Sequence, residues 1–170
     1  MTETVALPAD LDARVHRFLT AACARNLRLA TAESCTGGLL ASLFTDVPGC
    51  SHAFERGFVV YSNAAKHELL GVPQALLDDP GPVSEPVARA LAEGALARAI
   101  ADIAVATTGF AGAGAPGDEP GLVHVAVAAR NRPTCHRRVN FPETDRGGVR
   151  LRAVELSLDL LEEVLDGWGR

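Results

Sequence analysis

The chain carries one lysine, Lys66, against fifteen arginines. A guanidinium stays protonated across the physiological range, whereas an ammonium held away from water can lose its proton near neutral pH. Lys66 is therefore a candidate base. It stands five residues after the single tyrosine, in Tyr61-Ser62-Asn63-Ala64-Ala65-Lys66. The nucleophile such a base would serve is Ser34, in Thr31-Ala32-Glu33-Ser34-Cys35-Thr36-Gly37-Gly38. The run Arg28 to Ala32 reads as a strand, and Leu39, Leu40, Leu43 and Phe44 read as a helix ending before Pro48-Gly49. That places the hydroxyl where a helix start exposes free N–H groups and the positive end of its dipole. Such donors hold an oxyanion when a hydroxyl attacks a carbonyl, and Gly37 and Gly38 permit close approach. The plainer role of Ser34 or Thr36 is to cap that helix. With Lys66 as base and Tyr61 or Ser62 passing a proton, a Ser-Lys pair is chemically sufficient. The five histidines offer no base by position, and His67 points to a different helix face from Lys66.

Three further patterns bear on chemistry. Gly112-Ala113-Gly114-Ala115-Pro116-Gly117 spells GxGxxG, but Pro116, Pro120 and the next apolar run argue against the helix a dinucleotide fingerprint requires. It reads as a loop able to cover a ligand, or as a plain surface connection. Arg146 and Arg150, four apart at the head of the last helix, share a face suited to a phosphate; ordinarily such arginines are solvated or paired with Glu143 and Asp145. Arg137 and Arg138 read as an exposed pair on a strand. The four cysteines form no CxxC pair and no metal spacing with histidine, which points to reduced thiols, no metal and no redox motif.

The elements that must position these residues follow from periodicity. Leu11, Val15, Phe18, Leu19 and Ala22 predict a helix over 10–25. Strands are expected at 54–61, 103–107, 122–129 and 134–141, the last two as a hairpin about Asn131-Arg132-Pro133. Asn63 to Leu70 is a short helix closed by Gly71, and Ser84 is a plausible N-cap for a helix over 85–101. The final helix spans 146–165, with Val149, Val154, Leu158, Leu161 and Leu165 inward. At 170 residues the chain fits one domain, 1–170, with a mixed sheet covered on both faces. A formal net charge of −5 and 5% aromatic residues argue against a nucleic-acid surface. The N-terminus lacks a secretory pattern and no segment offers about 18 uninterrupted apolar residues, so the expected location is cytoplasmic.

Taken together, Ala32 through Gly38, Val60-Tyr61-Ser62-Asn63 with Lys66, Pro82-Val83-Ser84-Glu85, Thr108-Gly109-Phe110-Ala111-Gly112 and Arg146 through Arg150 resemble the CinA C-terminal-domain family over about residues 10–165. The resemblance implies an α/β fold of three layers, α/β/α, on a mixed, mainly parallel five-stranded sheet with an antiparallel strand. It implies hydrolysis of nicotinamide mononucleotide to nicotinate mononucleotide and ammonia, in pyridine-nucleotide salvage, without cofactor or metal. Carried over by position, Ser34 is the nucleophile, Lys66 its base, and Tyr61 lies near the proton path. Thr36, Gly37, Gly38, Asn63, Thr108, Gly109 and Gly112 bind substrate, and Arg146 and Arg150 face its phosphate. The partners implied are a small nucleotide and further copies of the chain, with neither nucleic acid nor membrane. The family usually shows Gly-Pro-Gly at Gly112-Ala113-Gly114 and glycine at Thr144. The resemblance is to the C-terminal domain alone, so the activities of the amino-terminal molybdopterin-binding-like domain of longer relatives are not expected of these residues. The alternative function is a nonenzymatic ligand-binding or accessory module linked to competence or DNA damage, whose sequences should lose the Ser or the Lys.

Overall fold

The computed structural model describes residues 8–142 and 144–169. Helix α1, Ala9–Ala24, buries Leu11, Val15, Phe18, Leu19 and Ala22, the stripe set by its 3.6-residue period. Strand β1, Leu29–Glu33, is buried at every position, as a central strand covered on both faces must be. Helix α2, Leu39–Thr45, leads to the edge strand β2, Phe54–Val59. Then follow α3, Asn63–Leu70, the one-turn α4, Gln74–Asp78, and α5, Glu85–Arg98. Strands β3, Ile103–Gly109, β4, Leu122–Ala129, and β5, Cys135–Asn140, precede the long α6, Arg146–Asp166.

The five strands lie in the order β2-β1-β3-β4-β5. β1 pairs in parallel with β2 and β3, while β4 is antiparallel to both β3 and β5. Four strands thus share one direction and β4 alone opposes them. Leu29, Ile103, Val105, Val125 and Val127 face α1, α2 and α6; Ala30, Ala32, Ala104, Ala106 and Ala126 face α5. The result is the expected α/β/α sandwich. The alanine face lets α5 lie close to the sheet, and within α5 Gly94 abuts α3: a Cβ at Gly94 would collide with the carbonyl oxygen of Leu70. On the opposite layer Arg14 of α1 reaches Asp159 and Glu162 of α6, each at 2.7 Å.

Several boundaries differ from expectation for local reasons. β1 runs on to Glu33, whose carboxylate is engaged by α2. α5 ends at Arg98, and α4 escapes periodicity because five residues after Pro73 are too few to show one. Ser84 occupies the N-cap position of α5, but its hydroxyl donates to the Gly81 carbonyl at 2.7 Å rather than accepting from the helix. The Asn131 turn is as expected, with Asn131 at φ 60°.

Candidate active site

The chain passes from β1 outward to β2 and returns across the sheet to β3. Strand order therefore reverses between β1 and β3, and the crevice beyond their C-terminal ends is where such sheets take ligands. Ser34 is the first residue past β1, and Thr108 and Gly109 end β3. The Ser34 N–H donates to the Thr107 carbonyl at 3.1 Å, and the Val60 N–H to the Glu33 carbonyl at 2.8 Å, so the ladder holds the serine between its neighbours.

The turn from Ser34 to Gly38 is built around a carboxylate that sequence reasoning passed over. Glu33 is 0% exposed, and it accepts the N–H groups of Gly38 and Leu40 at 3.1 Å each and of Ala41 at 2.8 Å. Glu33, not Ser34 or Thr36, caps α2. Gly37 and Gly38 take φ of 60° and 93°, which brings the chain back onto its own preceding strand. Because Glu33 takes these donors at the helix start, the Gly38, Leu40 and Ala41 N–H groups are not available to a ligand beside Ser34. The signal available was an acidic residue closing an apolar strand just ahead of a Gly-Gly helix start.

Lys66 is 2% exposed, on the inner face of α3. Its Nζ donates to the Tyr61 carbonyl at 2.9 Å. Burial holds the Lys66 ammonium below the ordinary lysine value, and the small opposing influence is Cys35, not a carboxylate. The Cys35 thiol itself is pushed up to about 11 by burial, so it stays protonated near neutral pH.

A cleft of about 390 Å³ is lined by Ser34, Tyr61, Asn63, Lys66, Thr108 and Arg146 together with the 109–114 segment. Thr108 is fixed by donating to the Pro82 carbonyl at 2.7 Å. A Cβ on Gly109 would lie 2.7 Å from the Leu122 carbonyl oxygen, so glycine there lets β3 close on β4. Gly112 packs beside the Arg146 guanidinium, and no helix follows the glycine-rich loop, which enters β4. Of the two positions where the family pattern differs, Ala113 lines the cleft and the Thr144 methyl fills space beside Gly148.

Not every residue singled out in the sequence reaches the cleft. Arg150 donates to the Thr36 carbonyl at 2.8 Å, bracing the serine turn against α6, and does not line the cleft. Thr36 is buried with its hydroxyl 2.8 Å from that of Thr107. Thr36, Gly37 and Gly38 therefore shape the turn from behind. The relay role of Tyr61 and Ser62 also changes: the Tyr61 hydroxyl lies 3.4 Å from Arg146 Nη2, and Ser62 Oγ accepts the Ala65 N–H at 3.0 Å as the cap of α3. Tyr61 meets Lys66 through its carbonyl, which cannot pass a proton. Among the described residues no group of three His, Cys, Asp or Glu is arranged to hold a metal ion, and no helix is long and apolar enough to cross a membrane.

The sequence matches the CinA C-terminal domain over residues 11–165. The chain belongs to the CinA C-terminal-domain family. It is 48% identical over 153 residues to a competence-damage inducible protein of Symbiobacterium thermophilum, covering 85% of this chain and 36% of that protein. It is 50% identical over 128 residues to a CinA-like protein of Akkermansia muciniphila, covering 74% and 31%. The chain thus spans about a third of the length of these relatives. Among solved structures, the competence/damage inducible protein CihA from Agrobacterium tumefaciens superposes with a TM-score of 0.90 at 39% identity, covering 96% of this chain and 99% of that one. A CinA superfamily protein from Escherichia coli gives 0.86 at 33% identity, covering 94% of each. The CinA C-terminal fold accordingly accounts for the mixed sheet, the three layers and the single opposed strand.

Proposed function

We propose that the cleft hydrolyses the carboxamide of nicotinamide mononucleotide through a Ser34 acyl-enzyme. The observation that carries this reading is the sole lysine, buried with its ammonium disfavoured, in one cleft with a serine held at a strand end. Ser34 Oγ bonds to the amide carbon as the neutral Lys66 amine takes its proton. The oxyanion is met by backbone N–H of the Cys35–Thr36 turn. Collapse breaks the C–N bond, and the Lys66 proton goes to the departing nitrogen as ammonia. Water then attacks the ester, giving its proton through Lys66 to Ser34, and the pyridine carboxylate leaves. Arg146 at the cleft mouth supplies the charge for the 5′-phosphate, and Asn63, Thr108 and the 109–114 loop surround the nucleoside.

The second reading is an accessory module linked to competence or damage, as the relatives' names speak of, which binds a ligand without turning it over. One experiment separates the two: ammonia release from nicotinamide mononucleotide by the purified chain, its Ser34→Ala variant, and Lys66→Arg beside Lys66→Ala. Turnover should fall by about three orders of magnitude in Ser34→Ala. Lys66→Arg should be nearly as damaging as Lys66→Ala, because charge is kept and basicity is lost. No ammonia from the unaltered chain, with nucleotide still bound, supports the second reading; full activity in Lys66→Arg removes Lys66 as the base.

A further inference from the structure

Two of the five histidines stand together behind the cleft, and the proposed hydrolysis uses neither. His124 of β4 lies opposite Thr108 of β3 in the sheet register, and His136 of β5 lies opposite Ala126. Side chains alternate along a strand, so both imidazoles share the α5 face with Ala106 and Ala126. His124 is 6% exposed, and its Nδ1 lies 2.9 Å from Nε2 of His136, the rings stacked with 5.1 Å between centroids. Nδ1 of His136 is 3.4 Å from Oε2 of Glu85, the first residue of α5. The chain just before Glu85 is a wall of the cleft, lined by Pro82 and Val83. Thr108 grips that wall at one end, donating to the Pro82 carbonyl at 2.7 Å. Glu85 holds the other end.

An ionised carboxylate only accepts, so the His136 proton facing Glu85 sits on Nδ1. Nε2 of the neutral His136 ring is then bare and accepts the Nδ1–H of His124. One proton fills the 2.9 Å gap; with both rings charged, two N–H groups face each other there and the bridge opens. We propose that Glu85, His136 and His124 are positioning residues for the 82–84 wall, fixing it beside the substrate while the imidazoles share one bridging proton and releasing it when both rings are charged. The surrounding charges are balanced. Arg89 of α5 is bound to Glu85 at 2.8 Å, and Arg138 of β5 to Glu119, in the loop before β4, at 2.7 Å. Burial, then His136 and Arg138, lower His124 to about 4 against Glu85 and Glu119; burial, assisted by Arg89 and opposed by Glu85, lowers His136 as well. Both rings are therefore neutral and the wall is held near neutral pH. The effect on substrate rests on the proposed hydrolysis, whereas the coupling of the histidines to the wall does not.

The test is to titrate the isotope-labelled full chain from about pH 8 to about pH 4 by nuclear magnetic resonance, following the imidazoles and the backbone amides. The Val83 and Ser84 amides should move with the charging of His124 and His136, while Val154, in the core of α6, stays in place. In His136→Asn the two amides should be displaced already at neutral pH and lose their dependence on the pair. Glu85→Gln, a milder change at an exposed side chain, should move the transition to lower pH, because the carboxylate that favours a charged His136 is gone. Amides that stay still while both imidazoles charge, or that move only together with Val154, would overturn the proposal, as would a transition at higher pH in Glu85→Gln. Kinetics then separate positioning from general weakening. His136→Asn should raise KM for nicotinamide mononucleotide about fivefold at neutral pH with kcat little changed, the worth of about one hydrogen bond in binding. A fall in kcat at unchanged KM would overturn the positioning role. If the unaltered chain releases no ammonia, the hydrolysis reading falls and the amide titration alone decides the coupling.

Discussion

Replacing Glu33 tests whether one buried carboxylate organises the serine turn. Glu33→Ala leaves three N–H groups at the start of α2 without the oxygens they now meet. Hydrogen bonds to a charged group contribute about 1.5–3 kcal/mol each, though losses within one cluster do not add fully. Leu40 is buried, so water cannot readily replace its partner; Gly38 and Ala41 are half-buried and relax in part. A loss of roughly 4 kcal/mol follows, a large share of the 5–15 kcal/mol typical of a domain. Glu33→Gln keeps the shape but offers one accepting oxygen and turns an NH₂ toward a donor, so about 2–3 kcal/mol should go. Urea unfolding followed by far-UV circular dichroism reads both. With a slope of about 2 kcal/mol/M the Ala variant should unfold near 2 M lower in urea, at unchanged slope. Because Ser34 adjoins the capped turn, the Gln variant should also lose turnover beyond what its fraction unfolded explains. A Gln variant within about 0.5 kcal/mol of the parent would show that the carboxylate's charge does not hold α2, and the reasoning would fail.

Arg146→Ala should lower kcat/KM for the mononucleotide by roughly 10- to 150-fold while scarcely altering the riboside, the span of one charge-assisted contact. Arg150→Ala, by contrast, should lower the melting temperature and reduce both substrates alike, since its guanidinium braces Thr36; the ratio of the two specificity constants in each variant decides between these roles. His124, stacked on His136 and 2.9 Å from it, is lowered to about 4 by burial first and by His136 second. Its pKa in the folded chain lies below the unfolded value of about 6.5, so the unfolded chain binds more protons between those values. Stability should therefore be undiminished above about pH 6.5 and fall by roughly 3 kcal/mol as pH drops through about 4. Urea midpoints across that range should flatten in His124→Asn, and an equally steep dependence in that variant would refute the assignment.

Much of the layout was legible because burial imposes a period. The stripes Leu11 to Ala22 and Val149 to Leu165 could bury only one way, and both do. Lys66 was recognisable as the one lysine and Ser34 as a hydroxyl between a strand end and a helix start, and parallel strands bring Ser34 and the Tyr61-Ser62-Asn63 stretch before Lys66 to one side of the sheet. What sequence could not show was competition between partners far apart in the chain. Arg146 and Arg150 do share a helix face, yet spacing says nothing of a carbonyl at Thr36 that claims one of them. Tyr61 was placed near Lys66, but sequence could not show that its backbone carbonyl makes the contact while its hydroxyl lies 3.4 Å from Arg146. Glu33 was hidden by its own strand, since a residue ending an apolar run looks like a surface charge until the next helix folds back over it.

The glycine in the middle of α5 has a consequence for anyone who would engineer this protein. Mid-helix glycine is about 1 kcal/mol worse than alanine, so a stabilising design would change Gly94 first. Here the missing methyl is the space occupied by the Leu70 carbonyl, at the end of the helix that carries Lys66. A Gly94→Ala design would improve α5 as a helix by about 1 kcal/mol but drive its methyl into the α3 backbone, so the loss of packing between the two helices outweighs the gain at a position outside the cleft. Screens that score helix preference alone would select the wrong residue there.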